Sequence, residues 1–241
     1  MSHALLGRLS HGDPAVRREA CHEIAFDPSA VLLLEALAGA LADPDRGVRR
    51  AAGDALIRLG GTHAEVDALL REALRGDAAP ARFEAARALA ALAPPAPRLI
   101  PALVEALAHP EPDVAWEAAR LLVDMGRLHA EVVPIVTGLV RAGEGAGLRR
   151  MAVFCLRELA PERDETEAAL LEASRADDAA LRGAALSALP ALVRSGAEAA
   201  GLAARSGEAA RSDPDAGVRA LAARARSLCG GSVPSHPEEG R

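Results

Sequence analysis

The sequence predicts an all-α fold of about seven stacked helical hairpins, and two observations carry that prediction. First, the stretch Asp43 to Gly60, DPDRGVRRAAGDALIRLG, reads as a turn followed by one helix with a single apolar stripe, Val48, Ala52 and Leu56, four residues apart. Second, the same stripe recurs along the chain. With Val48 as position zero, the equivalents are Val16, Ala81, Val114, Leu148, Leu181 and Val218, at spacings of 32, 33, 33, 34, 33 and 37 residues. Position +4 is alanine in every copy: Ala20, Ala52, Ala85, Ala118, Ala152, Ala185 and Ala222. Position +8 is Ile24, Leu56, Leu89, Leu122, Leu156 and Leu189, with Arg226 breaking the rule in the last copy. A period near 33 residues that keeps one alanine seven times marks a stacked-repeat architecture.

In chain order the first hairpin is Ala4–Ser10 with Ala15–Ala25, followed by 31–41 with the helix after Asp43. In that helix Asp43 is the expected N-cap and Pro44 the expected first-turn residue, while Gly60 and Gly61 are expected to end it in a left-handed C-cap. The third hairpin pairs 64–75 with 80–92, and the prolines of 94–97 form a rigid turn into the fourth, 99–108 with 114–126. The fifth is 130–142 with 147–159. The sixth is 165–176 with 180–194, in which Pro190 should kink the last turn. The seventh, 197–210 with 216–228, is a polar cap with Arg226 at a core position. Residues 1–229 are expected to form one repeat domain and 230–241, GGSVPSHPEEGR, a disordered tail.

The residues of 43–60, and DPDAGVRALAARA at 213–225, closely resemble the second helix of a HEAT repeat. The resemblance implies a right-handed α-α superhelix, an α-solenoid of HEAT-like, armadillo-like hairpins whose second helices line a concave surface. It also implies a ladder in which a turn Asp and an Arg six residues later bond between neighbouring repeats. Asp43/Arg49 and Asp213/Arg219 keep that spacing, and Arg occupies position +1 in six of seven copies. The family's functions are diverse, so the fold does not name the activity.

Composition limits the function classes. Half the residues are hydrophobic, aromatics are 2 %, and the net charge is −6, with neither half of the chain basic. No like-charge block marks a nucleic-acid or membrane tail, and all 28 basic residues are Arg, a usage that fits a GC-rich bacterial genome. Three dispersed cysteines, Cys21, Cys155 and Cys229, point to reduced thiols, and neither a leader nor an 18-residue apolar run is legible. A cytoplasmic protein is the expectation.

At 100° per residue, positions 0, +4 and +8 fall on one side of each second helix and positions +2 and +6 on the other. The latter read Arg18 and His22, Arg50 and Asp54, Phe83 and Arg87, Trp116 and Arg120, Arg150 and Phe154, Gly183 and Ser187, Ala220 and Arg224. Three of the four aromatics thus stand at solvent-facing positions in consecutive repeats, among arginines. The expectation is a groove of Arg50, Phe83, Arg87, Trp116, Arg120, Arg150 and Phe154 that binds an acidic or extended segment of a protein partner. The Arg at +1 reads instead as the structural ladder.

Enzymatic readings fare worse. The Cys21-His22-Glu23 run resembles one His-Glu dyad of the HEAT-repeat hydroxylases that hold two irons, but it occurs once and at the wrong register. The resemblance to phycobilin lyase subunits rests on the repeat consensus alone. Alkyl-purine DNA glycosylases share HEAT-like arrays with an aromatic, acidic and basic cleft, and Trp116, Arg120 and Arg150 fit that pattern loosely. Their catalytic carboxylate has no clear counterpart: Asp113 reads as an N-cap, and Asp54 and Glu117 have no evident partner. The acidic balance also counts against tight phosphate binding. Walker A, HExxH and CxxC motifs are missing, and the scattered histidines lack metal-ligand spacing. No catalytic residue, metal or cofactor is expected, and a nucleic-acid-binding protein is the alternative to a scaffold.

Overall fold

The computed structural model describes residues 2–159, 164–194 and 199–230. Within them the chain is all α. First helices α1 (Ser2–Leu9), α3 (Leu34–Gly39), α5 (Glu65–Arg75), α7 (Ile100–Ala106), α9 (Val132–Ala142), α11 (Asp164–Ala173) and α13 (Ala199–Ser212) alternate with second helices. The second helices are α2 (Pro14–Ile24), α4 (Arg46–Gly60), α6 (Ala79–Leu92), α8 (Pro112–Gly126), α10 (Ala146–Leu159), α12 (Ala179–Arg194) and α14 (Ala216–Gly230). The segment read as one helix over 31–41 is α3 flanked by 3-10 turns at Ala30–Leu33 and Ala40–Ala42. A third 3-10 turn, Pro97–Leu99, carries the proline run into α7. Residues 231–241, the bulk of the expected tail, lie outside the described residues.

The chain divides into two compact units, residues 1–121 and 122–241. In the first, α4 packs against both α2 and α6; in the second, α12 packs against both α10 and α14. The alanine stripe explains this packing. All seven +4 alanines have zero exposure, and their missing bulk lets neighbouring second helices approach closely. The six apolar +8 residues are buried beside them, whereas Arg226 is exposed on α14. Arg226 therefore occupies no core position, in contrast to its six counterparts.

The turns depart from the sequence reading in two respects. Asp45, not Asp43, caps α4, its carboxylate accepting from Val48 N at 3.0 Å, and Pro44 precedes the helix. Asp178 and Asp215 repeat that geometry at 2.7 and 2.9 Å, so the N-cap sits three residues before position zero. Asp43 and Asp213 have another task, described below. Gly61 is right-handed at φ −71°, and the one positive-φ residue among those described is Gly145, at 86°. What requires glycine at 60 is space: a Cβ there would lie 2.7 Å from the Leu92 methyls, and one at Gly126 would crowd Leu159 in the same way. The close approach of one second helix to the next selects these glycines. α12 runs through Pro190 to Arg194 as one element. All three cysteines are buried and in no disulfide, and burial pushes the Cys21 thiol up to about 11 and Cys155 to about 12.

Candidate partner-binding surfaces

The Arg at +1 sorts itself first. Arg17, Arg49, Arg182 and Arg219 each donate one Nη to the two carbonyls five and six residues back, at 2.7–3.1 Å, and so close their own turns. In Arg17 and Arg182 the remaining guanidinium edge reaches the following repeat. Arg17 grips Asp43 through two bonds of 2.7 and 2.8 Å, and Arg182 grips Asp213 at 2.8 and 2.9 Å. Arg82 does the same to Glu105 at 2.6 and 2.9 Å. Hydrogen bonds from Arg182 hold the Asp213 carboxyl below its ordinary range. Burial alone would raise Asp43, but the bonds from Arg17 and from Asp45 N–H outweigh it and bring it below. This is the ladder, and its arginines are occupied.

In the first unit the expected groove residues do not form one open surface. Phe83 and Arg87 are buried, at 4 and 6 % exposure, contrary to the solvent-facing positions the helical wheel assigns them. For Arg87 the reason is a network of ion pairs that the wheel cannot see. On α6, Arg87 pairs with Glu84 at 2.7 Å, and it reaches back to Asp54 on α4 at 2.9 Å. Arg50 on α4 in turn binds Glu117 on α8 at 2.7 and 2.8 Å and lies 3.6 Å from Asp54. Arg46 adds contacts to Glu111 at 3.1 Å and Asp113 at 3.3 Å. The two second helices that flank α6 in the series are thus tied directly to each other, and α6 is enclosed. Gly53 makes the room, since a Cβ there would collide with the Arg87 guanidinium and stand 3.0 Å from Glu84 Oε2. Burial lowers the Arg50 pKa, but Glu117, Asp54 and Glu84 outweigh it and raise it.

These pairings also correct the carboxylates weighed for a glycosylase-like site. Asp54 and Glu117 both have arginine partners, and Asp113 lies inside the first turn of α8, where it meets Arg46. What remains open in this unit is Trp116, 44 % exposed, with Arg120 one turn further along α8. Arg120 is exposed and makes no ion pair among the described residues. At the first hairpin Phe26 is 70 % exposed with the Arg58 guanidinium 3.9 Å from its ring centre, a surface that sequence reasoning missed.

In the second unit Arg150 is exposed and Phe154 half-buried, with the Arg157 guanidinium 5.3 Å from the phenyl centre. Beyond them the second helices α10, α12 and α14 line a groove of 590 Å³. Arg157, Arg194 and Arg224 face it, together with Leu221 and Leu228, which are 42 and 52 % exposed. Of these only Arg224 stands at a position picked out by the +2/+6 rule; extending that rule to +9, +10 and +13 reaches Arg157, Leu228 and Arg194. Among the described residues no three His, Cys, Asp or Glu side chains gather as a metal-holding group, and no helix is long and apolar enough to cross a membrane.

The repeat spacing, the buried alanine stripe and the arginine ladder agree with a family-level match: the model of HEAT repeats fits residues 2–90 and 66–157. The chain belongs to the HEAT-repeat family. Among solved structures, it is similar to an engineered protein at 23 % identity and TM-score 0.33, with 95 % of this chain and 98 % of that one covered. A second engineered protein aligns at 20 % identity and TM-score 0.36, covering 95 and 96 %. A designed armadillo repeat protein aligns at 15 % identity and TM-score 0.35, covering 94 and 98 %. Likenesses this distant bear on neither site nor partner. No curated protein matches the chain.

Proposed function

We propose that this HEAT-repeat protein is a non-catalytic cytoplasmic scaffold that binds an acidic or extended segment of a protein partner on the exposed faces of its second helices. The observation that carries the reading is Trp116, the chain's one tryptophan, 44 % exposed and followed one turn later by the exposed Arg120. A rigid apolar ring beside a guanidinium is the residue pair that dominates interface energetics, because it combines large contact area with bidentate recognition of carboxylate. Arg150 and Phe154 offer a second such pair in the other unit. Phe83 and Arg87 are left out because they are buried, and Arg50 because Glu117 occupies it. Three buried cysteines outside any disulfide fit a reducing compartment.

The test is a nuclease-treated pull-down from native lysate, with proteins identified by mass spectrometry. It compares the wild type with Trp116→Ala plus Arg120→Glu. A protein captured by the wild type and lost by the variant is the expected result. Capture that disappears on nuclease treatment would overturn the reading in favour of nucleic acid.

A further inference from the structure

We infer that the groove formed by α10, α12 and α14 is a docking site for an acidic extended peptide of a partner protein, held by Arg157, Arg194 and Arg224 with Leu221 and Leu228 as its apolar contacts. The inference rests on the scaffold reading but places a site outside the residues that reading uses. Three features of the groove support it.

First, its charge is the reverse of the chain's. Among the described residues three guanidiniums face it against one carboxylate, Glu158, in a protein of net charge −6. Glu158 is engaged by Arg157 at 2.6 Å, so the carboxylate does not neutralise the other two arginines. Arg194 and Arg224 are exposed and make no ion pair among the described residues, unlike Arg50 and Arg87 at related positions of the first unit. An exposed arginine without a carboxylate keeps all its donors available for a ligand.

Second, the groove pairs these cations with apolar area. Leu221 and Leu228 lie two helical turns apart on α14 and expose 42 and 52 % of their surface, so a peptide gains burial as well as charge pairing. Third, the lining comes wholly from second helices. Packed helices lie roughly 8–10 Å apart, and an extended chain advances about 3.3 Å per residue, so a segment of about six residues crosses all three. Among the described residues that line the groove none is aromatic and able to stack a base, which favours carboxylates over nucleic acid as the anionic ligand.

The probe is a fluorescein-labelled twelve-residue peptide carrying four Glu and two Leu on a Ser background, titrated against the full chain by fluorescence anisotropy at low salt. Controls are the same peptide with Gln for Glu, one with Lys for Glu, and a labelled oligothymidylate of equal length. Expected is binding of the Glu peptide that weakens at least tenfold in Arg194→Glu plus Arg224→Glu, with that variant gaining the Lys peptide. Leu221→Ala plus Leu228→Ala should weaken binding several-fold. Affinity within twofold of wild type in the charge-reversed protein overturns the site, as does tighter binding of oligothymidylate or no Glu-peptide binding at millimolar protein. Self-association of the free chain, lost in the charge-reversed variant by sedimentation velocity, would make a second copy the occupant and overturn it too. If the Glu peptide is lost instead by Trp116→Ala plus Arg120→Glu, the groove falls while the scaffold reading stands. If the pull-down partner survives in every variant, the second-helix reading itself falls.

Discussion

The second helices of the two units carry similar residues to different ends. On α4 and α6, Arg50 and Arg87 meet Glu117, Asp54 and Glu84, and the face above α6 is closed by its own ion pairs. On α12 and α14, Arg194 and Arg224 meet no carboxylate among the described residues, and their face stays open beside two exposed leucines. The difference lies in where the acids stand, on the same helix (Glu84), one repeat away (Asp54) or two repeats away (Glu117), and not in the arginines. A guanidinium on a repeat surface becomes a candidate for binding only when the neighbouring repeats leave it unsatisfied.

The largest effect that would break this comparison is expected at the buried pair. Arg87→Ala leaves the Glu84 carboxylate buried without its partner and should cost about 3–5 kcal/mol in urea unfolding. Replacing both, as Glu84→Leu with Arg87→Met, should recover most of that loss. A single substitution that costs under 1 kcal/mol would show that the pair does not enclose α6.

The ladder comes next. Asp213→Asn removes the charge that Arg182 grips, and should cost about 1–2 kcal/mol, because hydrogen bonds to charged groups are worth more than neutral ones while the asparagine keeps one of the two acceptor oxygens in this buried pair. The same group sets an acid limb. Its folded pKa is held below the ordinary carboxylate value, so its stabilisation is fully present above about pH 4 and is lost as pH falls through the depressed value. Thermal melts from pH 6 to pH 2 should therefore show a shallower acid decline in Asp213→Asn than in wild type.

A smaller effect is expected at the half-exposed tie between α4 and α8. Arg50→Ala should cost about 0.5–1 kcal/mol at low salt and less at 1 M, where screening weakens exposed pairs. The smallest belongs to the open groove: Arg194→Ala and Arg224→Ala should each stay within about 0.5 kcal/mol of wild type, since both side chains are exposed and neither has an ion pair among the described residues. A cost at Arg224 equal to that at Arg87 would erase the distinction between the two faces.

Much of the architecture was legible because it depends on local rules repeated many times. The alanine at +4 and the apolar residue at +8 predict which side of each second helix is buried, and every one of those alanines is fully buried. The arginine at +1 was readable as a ladder from its fixed spacing to the turn. The caps were less so, since Asp43 and Asp45 are both acceptable N-caps by residue type, and only the position of Arg17 in the preceding repeat assigns each its role. Gly60 likewise looks like a C-cap in sequence, whereas Leu92 of the next second helix, α6, is what demands it.

The candidate site divides along the same line. Helical periodicity placed Trp116, Arg120 and Arg150 on exposed faces correctly, because one helix's own geometry suffices for that. It put Phe83 and Arg87 there as well, and both are buried; Arg87 meets Asp54 of another helix, and Arg50 meets Glu117 67 residues away, pairings that no periodicity reports. The sequence by itself determined the helices, the repeat and the buried stripe, all set by hydrophobic spacing within a few turns. Only the tertiary structure decided which arginines are spent on carboxylates of other helices, since that depends on how closely those helices pack.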